Sequence, residues 1–152
     1  MKKSNTALIV LMAGSIILIA ILLIAGPKPP AAEKKGLAAV FVEIDFGGET
    51  PDRPVGNSSG NANWSFRLEM DNATVYSAIL GASERFNFTI KADWYPNFRS
   101  HRVSEIAGVR DGADGRFWQY YVNGQYMDKG GDLVGLADGD TVRWEFKGAL
   151  QR

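Results

Sequence analysis

The 152-residue sequence contains no cysteine. A disulfide framework, a thiolate metal site, a cysteine nucleophile and the lipid-modified cysteine of a lipoprotein anchor are therefore excluded. Histidine occurs once, at His101, and one imidazole forms neither a catalytic triad nor a metal cage of its own. The sequence also has no phosphate loop and no carboxylate pair whose spacing points to catalysis. We therefore expect no enzymatic activity and no bound metal ion.

An excess of basic residues is missing as well, since 17 Lys and Arg balance 17 Asp and Glu. From residue 37 onward the balance is acidic, with 12 basic and 16 acidic residues and a net charge of −4. A protein that binds nucleic acid needs a basic face to neutralise phosphates. The composition thus excludes nucleic acid as a partner of this part of the chain.

Charged residues are absent from residues 7–25, a run of 19 residues rich in isoleucine and leucine. A helix of this length spans about 28 Å, roughly the thickness of a bilayer core. We predict a single transmembrane anchor here, with residues 1–6 in the cytoplasm and a proline-containing stalk at 26–36. A cleaved signal peptide is the alternative, although its apolar region is usually shorter and ends in a better cleavage site.

Four N-x-Ser/Thr sequences follow the apolar run, whereas the composition predicts fewer than one by chance. Such sequences accept N-linked glycans in exported proteins. We therefore predict that residues 37–152 form a domain outside the cell, and an exported domain without cysteine favours an archaeal source. The alternative is that asparagine and serine or threonine simply occur together in turns. The four acceptors are Asn57, Asn63, Asn72 and Asn87.

Alternation of apolar and polar residues predicts strands at 37–46 and 64–70. Apolar residues at helical spacing predict one helix over 73–84, with an N-cap in the turn Asp71-Asn72. Further along the chain, strands are predicted at 86–93 and 103–109, and a loop rich in aromatic and basic residues at 94–102.

The stretch RFWQYYVNGQYM, residues 116–127, carries the densest group of aromatic residues. Asn123-Gly124 predicts a two-residue hairpin turn, because both positions of that turn need positive φ. Alternation places Trp118, Tyr120 and Val122 on one face of the first arm, and the other face consists of Phe117, Gln119 and Tyr121.

A closing strand is predicted at 138–146, with Val142, Trp144 and Phe146 facing inward. Several half-apolar strands and a single helix predict an α+β domain, in which one helix covers a β-grasp-like sheet.

Four segments of the sequence resemble the carboxy-terminal domain of transcobalamin and intrinsic factor, together with prokaryotic surface domains similar to it. They are TVYSAIL, SEIAG, FWQYYVNG and LADGDTVRWEF, and the resemblance extends over residues 37–147. In the vitamin carriers this domain closes over cobalamin held against a larger helical barrel, which this chain lacks. The resemblance implies a cobalamin-like ligand, a partner protein that completes the site, and a ligand-facing strand that contains Phe117, Trp118 and Gln119.

A flat ligand such as a corrinoid needs aromatic faces and a few amide or hydroxyl groups. Seven side chains are the candidates: Phe117, Trp118, Gln119, Tyr120, Tyr121, Trp94 and Tyr95. The alternative is that most of them belong to the core or to cross-strand pairs. The nearby cations Arg99, His101 and Arg102 either hold an anion or a glycan or form a solvated loop. The aspartates at 111–114 and 132–140 accompany glycines and indicate turns rather than calcium sites.

The sequence therefore predicts a membrane-anchored extracellular module that binds a small molecule, with cobalamin or another corrinoid as the candidate ligand and a partner protein that completes the site. The alternative function is that of a structural or adhesive cell-surface protein that binds no small ligand.

Overall fold

The computed structural model describes residues 37–52 and 63–149. The predicted anchor and stalk, at 1–36, and the acceptor Asn57 lie outside the described residues. Within the two described ranges, no helix is long and apolar enough to cross a membrane.

Eight strands and one α-helix form the described part of the chain, which confirms the predicted α+β class with a single helix. In chain order the elements are β1 (Ala38–Asp45), β2 (Asn63–Met70), α1 (Val75–Phe86), β3 (Ile90–Tyr95), β4 (Ser100–Ile106), β5 (Val109–Arg110), β6 (Arg116–Val122), β7 (Gln125–Tyr126) and β8 (Thr141–Gly148).

The strands form two sheets, a five-stranded sheet in the order β2-β1-β8-β6-β7 and a three-stranded sheet in the order β3-β4-β5. Strands β1 and β8 pair in parallel at the middle of the larger sheet, and the other neighbours in that sheet are antiparallel. The turn Asn123-Gly124 has positive φ at both residues, as predicted for the hairpin. However, β7 continues the pairing for only two residues.

The core lies on one face of the larger sheet, where every second residue of β1, β2, β6 and β8 is buried. The predicted inward residues of β8, Val142, Trp144 and Phe146, are all buried. Helix α1 covers this face with the apolar stripe predicted for it, which consists of Val75, Ala78, Ile79 and Ala82. Phe46 links the elements, because its buried ring packs edge-on against two tryptophans, Trp64 at 4.7 Å and Trp118 at 5.6 Å.

Helix α1 begins and ends at residues other than those predicted. Its N-cap is Thr74, which forms a reciprocal capping box with Ser77 instead of using Asp71 or Asn72. Its C-cap is Asn87, whose φ of 58° lies in the left-handed region that asparagine tolerates. The helix therefore includes Phe86, and the predicted strand 86–93 begins only at Ile90.

The predicted loop 94–102 is also wrong, because most of it belongs to a β-hairpin. Strand β3 continues through Trp94 and Tyr95, a short helical turn occupies Pro96–Phe98, and β4 begins at Ser100. Trp94, Tyr95, His101 and Arg102 therefore stand on paired strands, whereas Phe98 and Arg99 belong to the turn between them.

The predicted strand 103–109 is divided in two, because Ala107 and Gly108 both have positive φ and form a tight turn between β4 and β5.

A buried carboxylate connects the strands of the smaller sheet. The side chain of Glu105 is only 7% exposed. Its carboxylate forms ion pairs with Lys91 at 2.8 Å and with Arg110 at 2.9 Å. The hydrogen bond from Lys91 is the largest influence on the pKa of Glu105, and together with the one from Arg110 it outweighs burial and lowers that pKa.

We expect Glu105→Gln to reduce the free energy of unfolding by about 1–2 kcal/mol at neutral pH, since it removes a charged acceptor from two cations. The folded-state pKa of Glu105 lies below its unfolded value, so this contribution is present above the unfolded pKa and is lost as the pH falls through the folded one. Urea unfolding of wild type and variant between neutral pH and pH of about 3 measures it. A difference that stays constant with pH would contradict the assignment.

Candidate functional site

A groove of about 310 Å³ lies where β4 of the smaller sheet meets β6 and β8 of the larger one. This volume is at the lower end of the range for small-molecule sites, about 300–1,000 Å³. Aromatic rings supply much of its lining, together with a few charged groups. The lining residues are Tyr95, Phe98, Ser100, His101, Arg102, Val103, Trp118, Tyr120, Asp128, Lys129, Gly130, Gly131 and Trp144.

Hydrogen bonds at both ends fix the wall residue Trp118. Its indole Nε1 donates to the carbonyl of Val109 at 2.9 Å, and its backbone N–H donates to Oδ1 of Asp111 at 2.7 Å. The other oxygen of Asp111 accepts from Arg102 at 2.9 Å. The indole therefore presents a fixed apolar surface to the groove, and its polar edge is already satisfied.

Tyr120 attaches the loop after β7 to the sheet. Its buried hydroxyl donates to the carbonyl of Lys129 at 2.5 Å. Burial raises the pKa of Tyr120 to about 12, with smaller contributions from Tyr126 and Asp128. The neutral hydroxyl is thus the favoured form, which keeps the donor available to the loop.

The same loop is attached to β4 through Asp132. One oxygen of its carboxylate, Oδ2, accepts the Ser100 hydroxyl at 2.8 Å and the backbone N–H of His101 at 2.7 Å. The other, Oδ1, lies 3.1 Å from Nδ1 of the His101 imidazole. Gly130 permits this close approach, because a Cβ at that position would lie 2.1 Å from the Cβ of Ser100. Burial raises the pKa of Asp132, but these hydrogen bonds outweigh it and lower the pKa overall.

Two aromatic rings hold the imidazole of His101. Tyr76 of α1 stacks on it, with ring centres 4.2 Å apart and planes 11° from parallel. Trp94, the cross-strand neighbour of His101, lies with its ring centre 5.0 Å away. Burial and the charge of Asp132 raise the pKa of Tyr76, so its hydroxyl stays neutral. The orientation of His101 is therefore set by one carboxylate and two rings.

Trp144 of β8 also lines the groove and carries an unused hydrogen-bond donor. The residue is 4% exposed, and within the described part of the chain its Nε1 has no hydrogen-bond partner. Its ring lies 5.2 Å from that of Tyr120. Buried donors nearly always have a partner, so this indole N–H is an exception among the described residues.

The seven predicted ligand residues separate into two groups. Trp118, Tyr120 and Tyr95 line the groove, and Trp94 lies beside it against His101.

Phe117, Gln119 and Tyr121 do not line the groove, because they lie on the opposite face of β6 from Trp118 and Tyr120. Gln119 donates to the carbonyls of Lys147 and Gly148, and Tyr121 packs against Tyr126 and the ammonium of Lys147. These contacts belong to the outer surface of the larger sheet.

Several groove residues have no clear signal in the sequence. Asp132 reads as a turn residue, and its contact with His101 joins positions 31 residues apart. His101 and Arg102 read as part of a solvated loop, because the hairpin that places them beside Trp118 was not predicted. Of the aspartates beside Gly139, Asp140 accepts from the N–H of Ala137 within the turn, whereas Asp138 accepts from the N–H of Ala39 in β1. Residues 37–52 and 63–149 contain no group of three or more potential metal ligands.

Residues 88–148 match a protein family described as a domain of unknown function, DUF4430. This segment runs from the residue after the C-cap of α1 to the end of β8 and includes almost the whole groove. The sequence matches no curated protein.

Two solved structures have a similar fold. A protein of Ruminococcus gnavus ATCC 29149, described provisionally as metal-binding, is 13% identical with a TM-score of 0.54; the match covers 74% of this chain and 99% of that one. Haptocorrin in complex with Cbi is 12% identical with a TM-score of 0.56, over 79% of this chain. The chain corresponds to only 27% of haptocorrin. The fold therefore agrees with the resemblance to the transcobalamin family found in the sequence.

We expect Tyr120→Phe to release the loop at Lys129 and to cost about 1 kcal/mol of stability, the usual value of one hydrogen bond. In the wild type a tyrosine should ionise at about 12, and the variant should lack that step. A raised folded-state pKa gives stability that is present below the unfolded pKa of about 10 and is lost as the pH rises through the folded one.

Reversible absorbance titration of tyrosinate measures this step, and Tyr95→Phe, which removes a 40% exposed tyrosine, is the matched control. A step at high pH that survives in Tyr120→Phe would show that another tyrosine produces it.

Proposed function

We propose that the domain binds a small, largely flat molecule in the groove between β4, β6 and β8. The observation that carries this proposal is the aromatic wall of the groove, formed by Trp118, Tyr120 and Trp144. Their rings offer apolar area, and flat ligands bind best against such surfaces.

The charged groups at the groove support a ligand with polar substituents around an apolar body. Arg102 and Lys129 carry hydrogen-bond donors at the groove, and Asp128 carries acceptors. A corrinoid has this character, because a flat ring system carries amide groups at its edge. Haptocorrin, which shares the fold, has been crystallised with Cbi, and we propose a corrinoid as the ligand here as well.

A partner protein is part of this proposal because the groove is small and its rim is apolar. Phe98 is 70% exposed, and Trp94 and Tyr95 beside it are also exposed. A corrinoid larger than the groove would extend past these rings, and a second protein that covered it would bury them. We further propose that residues 7–25 anchor the module in a membrane with the domain outside. The acceptors Asn63, Asn72 and Asn87 are exposed, as glycosylation in that location requires.

Titration of the full chain in mild detergent with cobalamin and with dicyanocobinamide, followed by calorimetry, tests this function. We expect saturable binding, and we expect Phe98→Ala to weaken it about tenfold through the loss of one ring contact, equal to about 1.4 kcal/mol.

Tyr126→Ala is the matched control, since Tyr126 is an exposed aromatic residue that packs on Tyr121, away from the groove. Equal losses in the two variants would contradict a site in the groove, and absence of binding in the wild type would contradict a corrinoid ligand.

The edge strand β2 supports a second candidate function, self-association at a cell surface. Strand β2 lies at one edge of the larger sheet. It pairs with β1 on one side, and no described strand pairs with its other side. Antiparallel pairing of two copies about Leu68 would place Arg67 of each copy opposite Glu69 of the other. It would also continue the buried face, with Phe66 opposite Met70. Opposite charges across a strand pair stabilise it by about 0.2–1 kcal/mol.

If this pairing forms, Arg67→Glu should weaken the dimer by placing two acidic residues opposite each other. The double variant Arg67→Glu/Glu69→Arg should restore it, because the charges are exchanged but stay complementary. Sedimentation of the full chain in detergent measures the association, with Arg99→Glu, in the turn between β3 and β4, as the control. A monomeric wild type, or equal association of all variants, would show that the edge of β2 is not a site of self-association.

A further inference from the structure

The exposed apolar side chains of the domain are not scattered over its surface. Among the residues that the structure describes, six large ones are exposed, and all of them lie at one end of the domain, the apolar end. The parallel strands β1 and β8 begin at this end, and β6 turns into β7 there. The six residues are Leu37, Trp94, Tyr95, Phe98, Tyr126 and Leu133.

The start of β1 is in contact with the start of helix α1 and, through it, with the β3–β4 hairpin. Ala38 pairs with Met70, the last residue of β2, and α1 begins shortly afterwards at Val75. Tyr76, in the first turn of α1, stacks on His101 near the start of β4. The turn of the hairpin, which carries Phe98, therefore lies at the apolar end.

The loop after β7 brings Leu133 to the same place. The N–H of Leu136 donates to the carbonyl of Ala73, just before α1, at 2.8 Å. Asp132 accepts the hydroxyl of Ser100, the first residue of β4, at 2.8 Å. Leu133 thus stands between the start of the helix and the turn of the hairpin.

The composition of the apolar end suits the boundary between lipid headgroups and acyl chains. Tryptophan and tyrosine favour that boundary, because one part of each ring is apolar and the other can stay in water. The exposed charges nearby have both signs, with Arg99 and Lys129 beside Asp128 and Asp138. A group of exposed apolar residues marks contact with a protein or a membrane, and a surface of mixed charge does not require anionic lipid.

The chain that precedes the domain favours a membrane. Leu37 follows the stalk, residues 26–36, which separates the domain from the uncharged run at 7–25. Eleven residues span at most about 40 Å even when fully extended. A bilayer that holds the run at 7–25 is therefore within reach of the apolar end, and such a tether raises the effective concentration of the domain at the lipid surface.

We propose that the apolar end rests on the bilayer that anchors the chain, with Phe98 and Leu133 in contact with lipid. This inference rests on the membrane anchor of the proposed function and is independent of the ligand in the groove. The lipid contact buries the rings of the hairpin in the anchored protein. No anionic headgroup is needed, because the contact is apolar.

The test uses the full chain in phosphatidylcholine vesicles, made without glycans because Asn72 lies between β2 and α1 at the apolar end. Trp94 reports on lipid contact, since it is 51% exposed, whereas the other three tryptophans are buried and residues 1–36 contain none. We expect brominated acyl chains to quench the fluorescence of wild type. Trp94→Phe keeps an apolar ring and should abolish the quenching.

Leu133→Asp tests the surface without changing the groove, because Leu133 does not line it. We expect this variant to shift the balance between docked and undocked domains about tenfold toward the undocked form, since aspartate is much less favourable than leucine at lipid. Ala113→Asp is the matched control, because it adds the same charge at an exposed alanine at the opposite end, where β6 begins. Urea unfolding shows whether each variant retains the fold.

The anchor and the docking of the domain fail in different ways. A full chain that does not float with the vesicles after an alkaline wash would overturn the anchor, and this inference with it. A chain that floats but is not quenched by brominated lipid would overturn the docking alone and leave the exposed rings to a partner protein. Equal quenching in wild type and Trp94→Phe, or in Leu133→Asp and Ala113→Asp, would also overturn it. The corrinoid titration is carried out in detergent and depends on none of these results.

Discussion

The parallel pairing of β1 and β8 is the constraint on which the rest of the structure depends. It joins the first and last strands of the described chain, and between them the chain leaves the sheet after β2 and returns to it at β6. The register places Ile44 beside Trp144 and Val42 beside Val142, which sets the inner face of the sheet. β6 then pairs with the free edge of β8 and brings Tyr120 opposite Trp144. The groove wall is thus a direct consequence of how the core closes.

Hydrogen bonds and ion pairs add to the apolar packing of Val103, Ile106 and Val109 in bringing the smaller sheet and the loop to this wall. Asp111 holds Trp118, the hydroxyl of Tyr120 holds the loop at Lys129, and Asp132 holds β4 at His101. Each of these hydrogen bonds uses a charged or buried group whose loss leaves a partner unsatisfied, so each costs more to break than an exposed contact. The groove residues are therefore held in place before any ligand arrives, which reduces the entropy lost on binding.

The sequence was sufficient for the elements with strong periodicity and insufficient for the contacts between them. Alternation identified the buried residues of β1, β2 and β8, and it separated Trp118 and Tyr120 from Phe117, Gln119 and Tyr121. It did not show which face of β6 carries the groove, because that depends on where β4 packs. The β3–β4 hairpin was missed because Pro96 and Arg99 read as loop residues, and they do form its turn. The contact between Asp132 and His101 links a turn to a strand, and no local pattern reports such a pair.

The same carboxylate that closes the loop also orients the imidazole, so the fold and the binding proposal share one group. An aspartate used only to close a loop would be satisfied by the Ser100 hydroxyl and the His101 backbone N–H. The additional contact with Nδ1 fixes the imidazole of a residue that lines the groove. Because Tyr76 stacks on the same imidazole, a ligand in the groove meets a polar ring whose position the fold has already set.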